Sequence, residues 1–255
     1  MDNNVLLSIK NISKTYNGVP IIEALKDVSL DIMQGEVISL LGVNGAGKTT
    51  LSSIIATLHP PTSGDILYHG KSIYKDVINY RRMIGFCPQK PNIDAMLTIK
   101  ENLMFAGRYF NMPFNLIKKK TDELLEQFQL TKYAYAQGAI LSGGYKQRFM
   151  LARTLMHNPK LIILDEPTVA LDPHIRRNLW DVIKMLKENG TTILLTTHYL
   201  EEAEILSDRV CILDSGVIKL IDSPENLKKD FRETNLEEVF IKFMQENEEG
   251  KDDEL

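Results

Sequence analysis

Gly42-Val43-Asn44-Gly45-Ala46-Gly47-Lys48-Thr49 follows a short apolar run, Val37 to Leu41, and opens a helical pattern at Lys48. The spacing is G-x-x-x-x-G-K-[ST], in the strand-before, helix-after context it requires. Glycines let a backbone curl until successive N–H groups converge on phosphate oxygens. A helix starting near Lys48 adds the positive end of its dipole. A lysine here reaches the β- and γ-phosphates of a nucleotide, and a threonine hydroxyl can ligate Mg²⁺. Gly42, Asn44, Gly45, Ala46, Gly47, Lys48, Thr49 and Thr50 therefore form the candidate phosphate-binding set.

Leu161-Ile162-Ile163-Leu164-Asp165-Glu166-Pro167 delivers two adjacent carboxylates at the end of an apolar strand. In an open parallel sheet that end is where ligands bind. Asp165 would meet a Mg²⁺ shell, and Glu166 could polarise a water for in-line attack on a γ-phosphate. An isolated Asp-Glu is usually a solvated turn. A pair closing a buried strand, in a chain with a phosphate loop, is not.

A third motif, Leu141-Ser142-Gly143-Gly144-Tyr145-Lys146-Gln147-Arg148, is by itself only a flexible, anion-tolerant start to a helix. Together with the first two it resembles the signature of ABC transporter ATP-binding subunits, and the resemblance runs from about Ile9 to Phe240. It implies an α/β fold: a P-loop NTPase core with a mainly parallel sheet, an N-terminal antiparallel β subdomain and an α-helical insertion subdomain. It implies ATP and Mg²⁺ as ligands, with Thr49, Gln89 and Asp165 around the metal and Glu166, His198 and Gln89 in catalysis. Tyr16 matches the aromatic that stacks on adenine, the lesser alternative being a strand tyrosine in the core. Asp172, in Ala170-Leu171-Asp172, matches a loop that crosses a dimer interface. Ser142, Gly143 and Gly144 would close on the nucleotide held by a second ATP-binding subunit, identical or related. Tyr145, Val43 and Ala170 depart from the residues frequent in the family, and none of the three removes a charged or metal-binding group.

Three segments narrow the branch: Arg176 to Trp180, Thr196 to Glu204 and Leu236 to Phe240. They resemble the drug- and sodium-export type, whose subunits serve separate multi-span permeases of the ABC-2 class. The expected place is then the cytoplasmic face of a membrane, held through the permease, with docking on the surface near Gln89 and the helices after it. The rival within the family is a non-transport ATPase acting on ribosomes or nucleic acid. Such proteins usually carry two fused halves or a long coiled coil, whereas this chain has one phosphate loop. A low-turnover scaffold subunit fits poorly with Glu166 and His198 both in place, and a small-molecule kinase leaves Leu141 to Arg148 unexplained.

The elements that must position these residues are partly legible. Leu6 to Ile12 and Ala24 to Ile32 alternate apolar and polar residues as half-buried strands do. Asp65 to Tyr68, Met83 to Cys87, Leu161 to Leu164, Thr191 to Thr197 and Arg209 to Leu213 read as further strands. Lys48 to Leu58, Ile99 to Phe110, Leu116 to Leu130 and Leu200 to Leu206 read as helices. So does the stretch from Asp172, an expected cap, through Pro173 to Gly190. Strands alternating with helices predict a mainly parallel sheet. The expected organisation is one domain, 1–245, with the core in 1–90 and 158–222, a helical part at about 91–157, C-terminal helices at 223–245 and an acidic, disordered tail at 246–255.

Composition excludes some partners. The 255 residues are 44% hydrophobic and 25% charged, with 30 Lys plus Arg against 34 Asp plus Glu. No basic excess favours a nucleic acid. No apolar stretch approaches a membrane span. Cys87 and Cys211 read as reduced core residues, and His59, His69, His157 and His174 as surface or packing residues.

Overall fold

The computed structural model describes residues 4–252, with side-chain surroundings through Gln245. In chain order the strands are β1 (Val5–Tyr16), β2 (Ile22–Met33), β3 (Val37–Leu41), β4 (Ser63–Tyr68), β5 (Lys71–Ser72), β6 (Ile84–Cys87), β7 (Leu161–Asp165), β8 (Thr192–Thr197), β9 (Arg209–Asp214) and β10 (Val217–Asp222). The helices are α1 (Lys48–Ile55), α2 (Val77–Met83), α3 (Ile99–Tyr109), α4 (Phe114–Gln127), α5 (Gly143–Thr154), α6 (Pro173–Glu188), α7 (Leu200–Leu206), α8 (Pro224–Phe231) and α9 (Leu236–Asp252).

Two sheets result. The first is four-stranded and antiparallel, in the order β2-β1-β4-β5. The second is six-stranded, in the order β10-β9-β3-β8-β7-β6. All its pairings are parallel except that of β9 with β10. Parallel strands covered on both faces are apolar at every position, and side chains alternate between the faces. β7 shows this directly. Leu161 and Ile163 enter the core shared with the antiparallel sheet and α1, while Ile162 and Leu164 enter the core shared with the helices of the middle segment. A smaller third core joins Leu41, Val210 and Ile212 to Ala203, Leu227, Leu236 and Val239 and thereby seats α7 and the C-terminal helices.

The differences from the sequence expectations have local causes. α1 stops at Ile55, because Ala56 caps it and Thr57 turns left-handed at φ 58°. α2 gives almost no apolar periodicity, since only Tyr80 is buried; it is set by the Asp76 side chain, which accepts from the Asn79 N–H. β10 is half-buried and lacked a clear pattern. α4 begins at Phe114, two residues before the expected start at Leu116, and buries Thr121 while leaving Leu116 exposed. Asp172 stands at the first cap of α6 but makes no side-chain capping bond, so the expected cap is one of position only. Glutamate favours helix, and α9 continues to Asp252 through residues 246–252. Residues 253–255 of the expected tail, like residues 1–3, lie outside the described residues. Both cysteines are free and buried, and burial pushes each thiol up to about 12.

Candidate nucleotide-binding and catalytic site

The register of the parallel strands explains why distant motifs meet. Leu41 pairs with Thr197, Asp165 with Thr196, and Cys87 with Leu164. β3, β8, β7 and β6 therefore end at one level, and the segments following them carry the phosphate loop, His198, Glu166 and Gln89.

The loop between β3 and α1 has no room for side chains at two of its glycines. A Cβ on Gly42 would lie 2.2 Å from the Leu213 carbonyl oxygen, and one on Gly47 2.7 Å from that of Ala24. Gly47 also takes φ 108°, which only glycine adopts cheaply. The β9–β10 turn braces the loop from behind, as Gly216 N–H donates to the Ala46 carbonyl at 3.0 Å. The Lys48 ammonium is buried and donates to the carbonyls of Gly42 at 2.7 Å and Val43 at 3.1 Å. Burial lowers its pKa, opposed by the charges of Glu166 and Asp165.

Asp165 Oδ1 gathers three hydroxyls: Thr196 Oγ1 donates at 2.7 Å, and Thr49 Oγ1 and Ser52 Oγ at 3.4 Å. Burial raises its pKa against the pull of these hydroxyls, and the charge of Glu166 adds to the rise. Glu166 sits at φ 47°, a strained value for this residue. Its N–H is held by Thr196, through the carbonyl at 3.1 Å and Oγ1 at 3.0 Å. Its carboxylate is bracketed: Gln89 Nε2 donates to Oε2 at 2.7 Å, and His198 Nδ1 lies 3.4 Å from Oε1. One carboxylate thus faces both an amide and an imidazole next to the phosphate loop.

A cavity of about 320 Å³ opens here, lined among others by Asn44, Gly45, Gly47, Lys48, Thr49, Thr50 and Glu166. The sequence reading did not foresee the rest of its wall, Ile22, Glu23, Ala24, Lys26, Ser215 and Gly216. These come from strand ends and a turn with no motif of their own. Thr196 and Ser52 were also missed. The signal for Thr196 was the hydroxyl pair ending an otherwise apolar strand, and for Ser52 its place three residues after Thr49 on α1. Tyr16 stands apart from the cavity lining. It is 40% exposed, opposite Ile22 in the β-ladder, with the Lys14 ammonium 5.2 Å from its ring centre. Ser142, Gly143 and Gly144 at the start of α5, and exposed Asp172, line no part of the cavity either.

Glycine loop, buried lysine and carboxylates at the carboxyl ends of a parallel sheet define a P-loop nucleoside-triphosphatase domain. The family is more specific. A family model described as ABC transporter matches residues 25–169, and the chain belongs to the ABC transporter ATP-binding family. A second model, described as an AAA domain of a putative AbiEii toxin of a type IV toxin–antitoxin system, matches residues 141–202. The Nod factor export ATP-binding protein I of Rhizobium meliloti (strain 1021) is 42% identical over 212 residues, covering 83% of this chain and 62% of that protein. The chain thus spans less than two thirds of that relative's length. The linearmycin resistance ATP-binding protein LnrL of Bacillus subtilis (strain 168) is 39% identical over 222 residues, 87% of this chain and 70% of that protein. Among solved structures, an ATP-binding subunit of an ABC transporter superposes with a TM-score of 0.83 at 30% identity, over 94% of this chain and 99% of that one. The dimeric post-hydrolysis state of the ATP-binding cassette MJ0796, bound to ADP and Pi, gives 0.78 at 32% identity, over 85% and 98%.

A separate apolar groove of about 430 Å³ lies beyond Gln89, between β6, α3 and α5, with Phe86, Asp94, Phe105, Tyr109 and Arg153 in its walls. Phe105 and Tyr109 are 63% and 77% exposed, and Met96 nearby 84%. Arg153 ties the groove to the segment after Gln89 through bonds to Asn92. Among the described residues, no helix is long and apolar enough to cross a membrane.

Proposed function

We propose that this chain binds and hydrolyses ATP as the motor subunit of an exporter whose permease is a separate multi-span chain of the ABC-2 type. The observation that carries the reading is the bracketing of Glu166 by Gln89 and His198 beside the phosphate loop. That carboxylate is placed to accept a proton from an attacking water, His198 to meet the γ-phosphate, and Gln89 to hold both the carboxylate and the approach to it. Lys48 exchanges its loop carbonyls for β- and γ-phosphate oxygens. The oxygen-only cluster of Asp165, Thr49 and Ser52 suits Mg²⁺, which usually rests on one or two carboxylates, water and substrate phosphates. Those residues would hold the ion, which would supply positive charge against the negative charge that develops on the phosphates.

Ser142, Gly143 and Gly144 lie away from the chain's own cavity, as a role on a second subunit's ATP requires. The dimeric state of the MJ0796 cassette supports that arrangement. The partner is a second copy or a related subunit, and Asp172 stands at the same interface. The name of the rhizobial relative, an export ATP-binding protein, supports export as the task, and a motor for a membrane exporter would work at the cytoplasmic face of the membrane. The groove beyond Gln89 would receive a cytoplasmic segment of the permease, so that its movement reaches Glu166 through Gln89.

Glu166→Gln tests the reading. ATP binding measured by titration stays near that of the unaltered protein, ATP drives the variant into a lasting dimer on sizing chromatography, and hydrolysis falls by about 100-fold or more. Unchanged hydrolysis would remove Glu166 from its proposed role.

A further inference from the structure

Outside the nucleotide cavity the fold buries one more carboxylate completely. Glu202, in the first turn of α7, has no exposed surface. Its Oε1 accepts the indole N–H of Trp180 at 2.9 Å. Its Oε2 has no hydrogen-bond partner among the described residues, and neither do the buried Oγ1 of Thr168 and Nε of Arg176. The hydroxyls of Thr197 and Thr168 also act on this carboxyl as donors, without ordinary hydrogen-bond geometry, and Arg176 acts on it through its charge. Burial pushes its pKa up, against those neighbours. A buried acceptor left beside unmatched donors is unfavourable and needs a reason.

The neighbours supply one. Thr168 lies in the turn after Glu166, where Val169 N–H bonds the Glu166 carbonyl at 3.2 Å and Leu171 N–H that of Thr168 at 3.2 Å. Thr197 immediately precedes His198, and its Oγ1 accepts from the Tyr199 N–H at 3.0 Å. Trp180 and Arg176 belong to α6, which starts after Asp172. The Arg176 guanidinium lies 4.0 Å from the centre of the Tyr199 ring, and that ring packs at 4.2 Å against His198. Glu202 therefore touches the segment of the candidate base, the segment of the candidate histidine and the helix leading from the interface loop.

We propose that Glu202 is a positioning residue, which holds these three segments in one arrangement and tightens its bond to the Thr168 hydroxyl as the closed site reaches the hydrolytic transition state. The inference rests on the hydrolytic reading above. A bond that tightens only in the hydrolytic transition state supports turnover without supporting affinity, so its loss lowers kcat and leaves the KM for ATP unchanged.

The test is ATP hydrolysis by the full chain carrying Glu202→Leu, Glu202→Gln or Thr168→Val, with thermal unfolding of each. Leucine fills the volume without an acceptor, and glutamine keeps an acceptor for Trp180 and a polar atom for Thr168. Glu202→Leu and Thr168→Val are expected to lower kcat about 10-fold with KM within about 2-fold, and Glu202→Gln to stay within about 3-fold of the unaltered protein. Should Glu202→Leu fail to fold, Thr168→Val carries the same comparison. Unaltered kcat in both, a matching rise in KM, or no rescue by glutamine would overturn the proposal. Absence of turnover in the unaltered protein would instead overturn the hydrolytic reading, and this one with it.

Discussion

Asp165 shows how a single residue trades stability for a task. Its carboxylate is buried, it neighbours Glu166, and its pKa is raised. A raised folded-state pKa means that the group favours folding only where it is protonated, and that this contribution is lost as pH rises through the folded value. At neutral pH the buried charge therefore weighs against the nucleotide-free fold. Asp165→Asn keeps an acceptor for the Thr196 hydroxyl and removes the charge. It should raise Tm at pH 7 by about 2–4 °C, a gain of roughly 1 kcal/mol for a chain of this size. The gain should fade below about pH 4, where the aspartate is protonated in both states. Calorimetry across that range checks it, and hydrolysis by the same variant should be abolished. Ala170 is a second residue held away from its preference, at φ 58°. A glycine would take that left-handed backbone without the strain of a Cβ.

The elements carry the site through alignment more than through their own residues. β3 and β9 run parallel with Leu41 opposite Ile212, so the Leu213 carbonyl sits against Gly42 with no freedom to retreat. Gly42→Ala should therefore displace the phosphate loop and weaken ATP binding at least about 10-fold, as read by titration, while the same change at Gly45, whose Cβ position is open, meets only a backbone cost. What the sequence showed best were elements with a strong period or a motif at their end. β3, β7 and β8 are buried at every position and mainly apolar, and each delivers a chemical group at its last residue or just beyond. What it hid were elements made by context. α2 has one buried side chain and a capping aspartate, and β10 has none fully buried. The cavity wall at Ile22, Lys26 and Ser215 arises where two sheets meet, and no local pattern records a meeting between distant segments. Nor does any local pattern record the bond by which Trp180 of α6 meets Glu202 of α7.

At the scale of the molecule, the Gln89 segment connects two surfaces, through Glu166 on one hand and Phe86 and Asn92 on the other. The first is the nucleotide cavity; the second is the apolar groove with its exposed Phe105 and Tyr109. A contiguous exposed apolar patch of this kind marks an interaction surface. Phe105→Asp combined with Tyr109→Asp should leave the chain's unstimulated hydrolysis within about 2-fold and abolish recovery of a multi-span partner from gently solubilised membranes, since neither side chain lines the cavity. Ribosomes or a cytosolic complex recovered in place of a membrane chain would retire the exporter reading while leaving the ATPase.

Trp180 is the chain's sole tryptophan, and its indole hydrogen bond ends on Glu202 beside the loop of His198. All tryptophan fluorescence of the protein therefore originates from one buried point between α6 and α7. A change in its emission on mixing with ATP would time the rearrangement of that point without any attached dye. In the Glu166→Gln variant the light should change and then stay changed, separating the closing stroke from the resetting one.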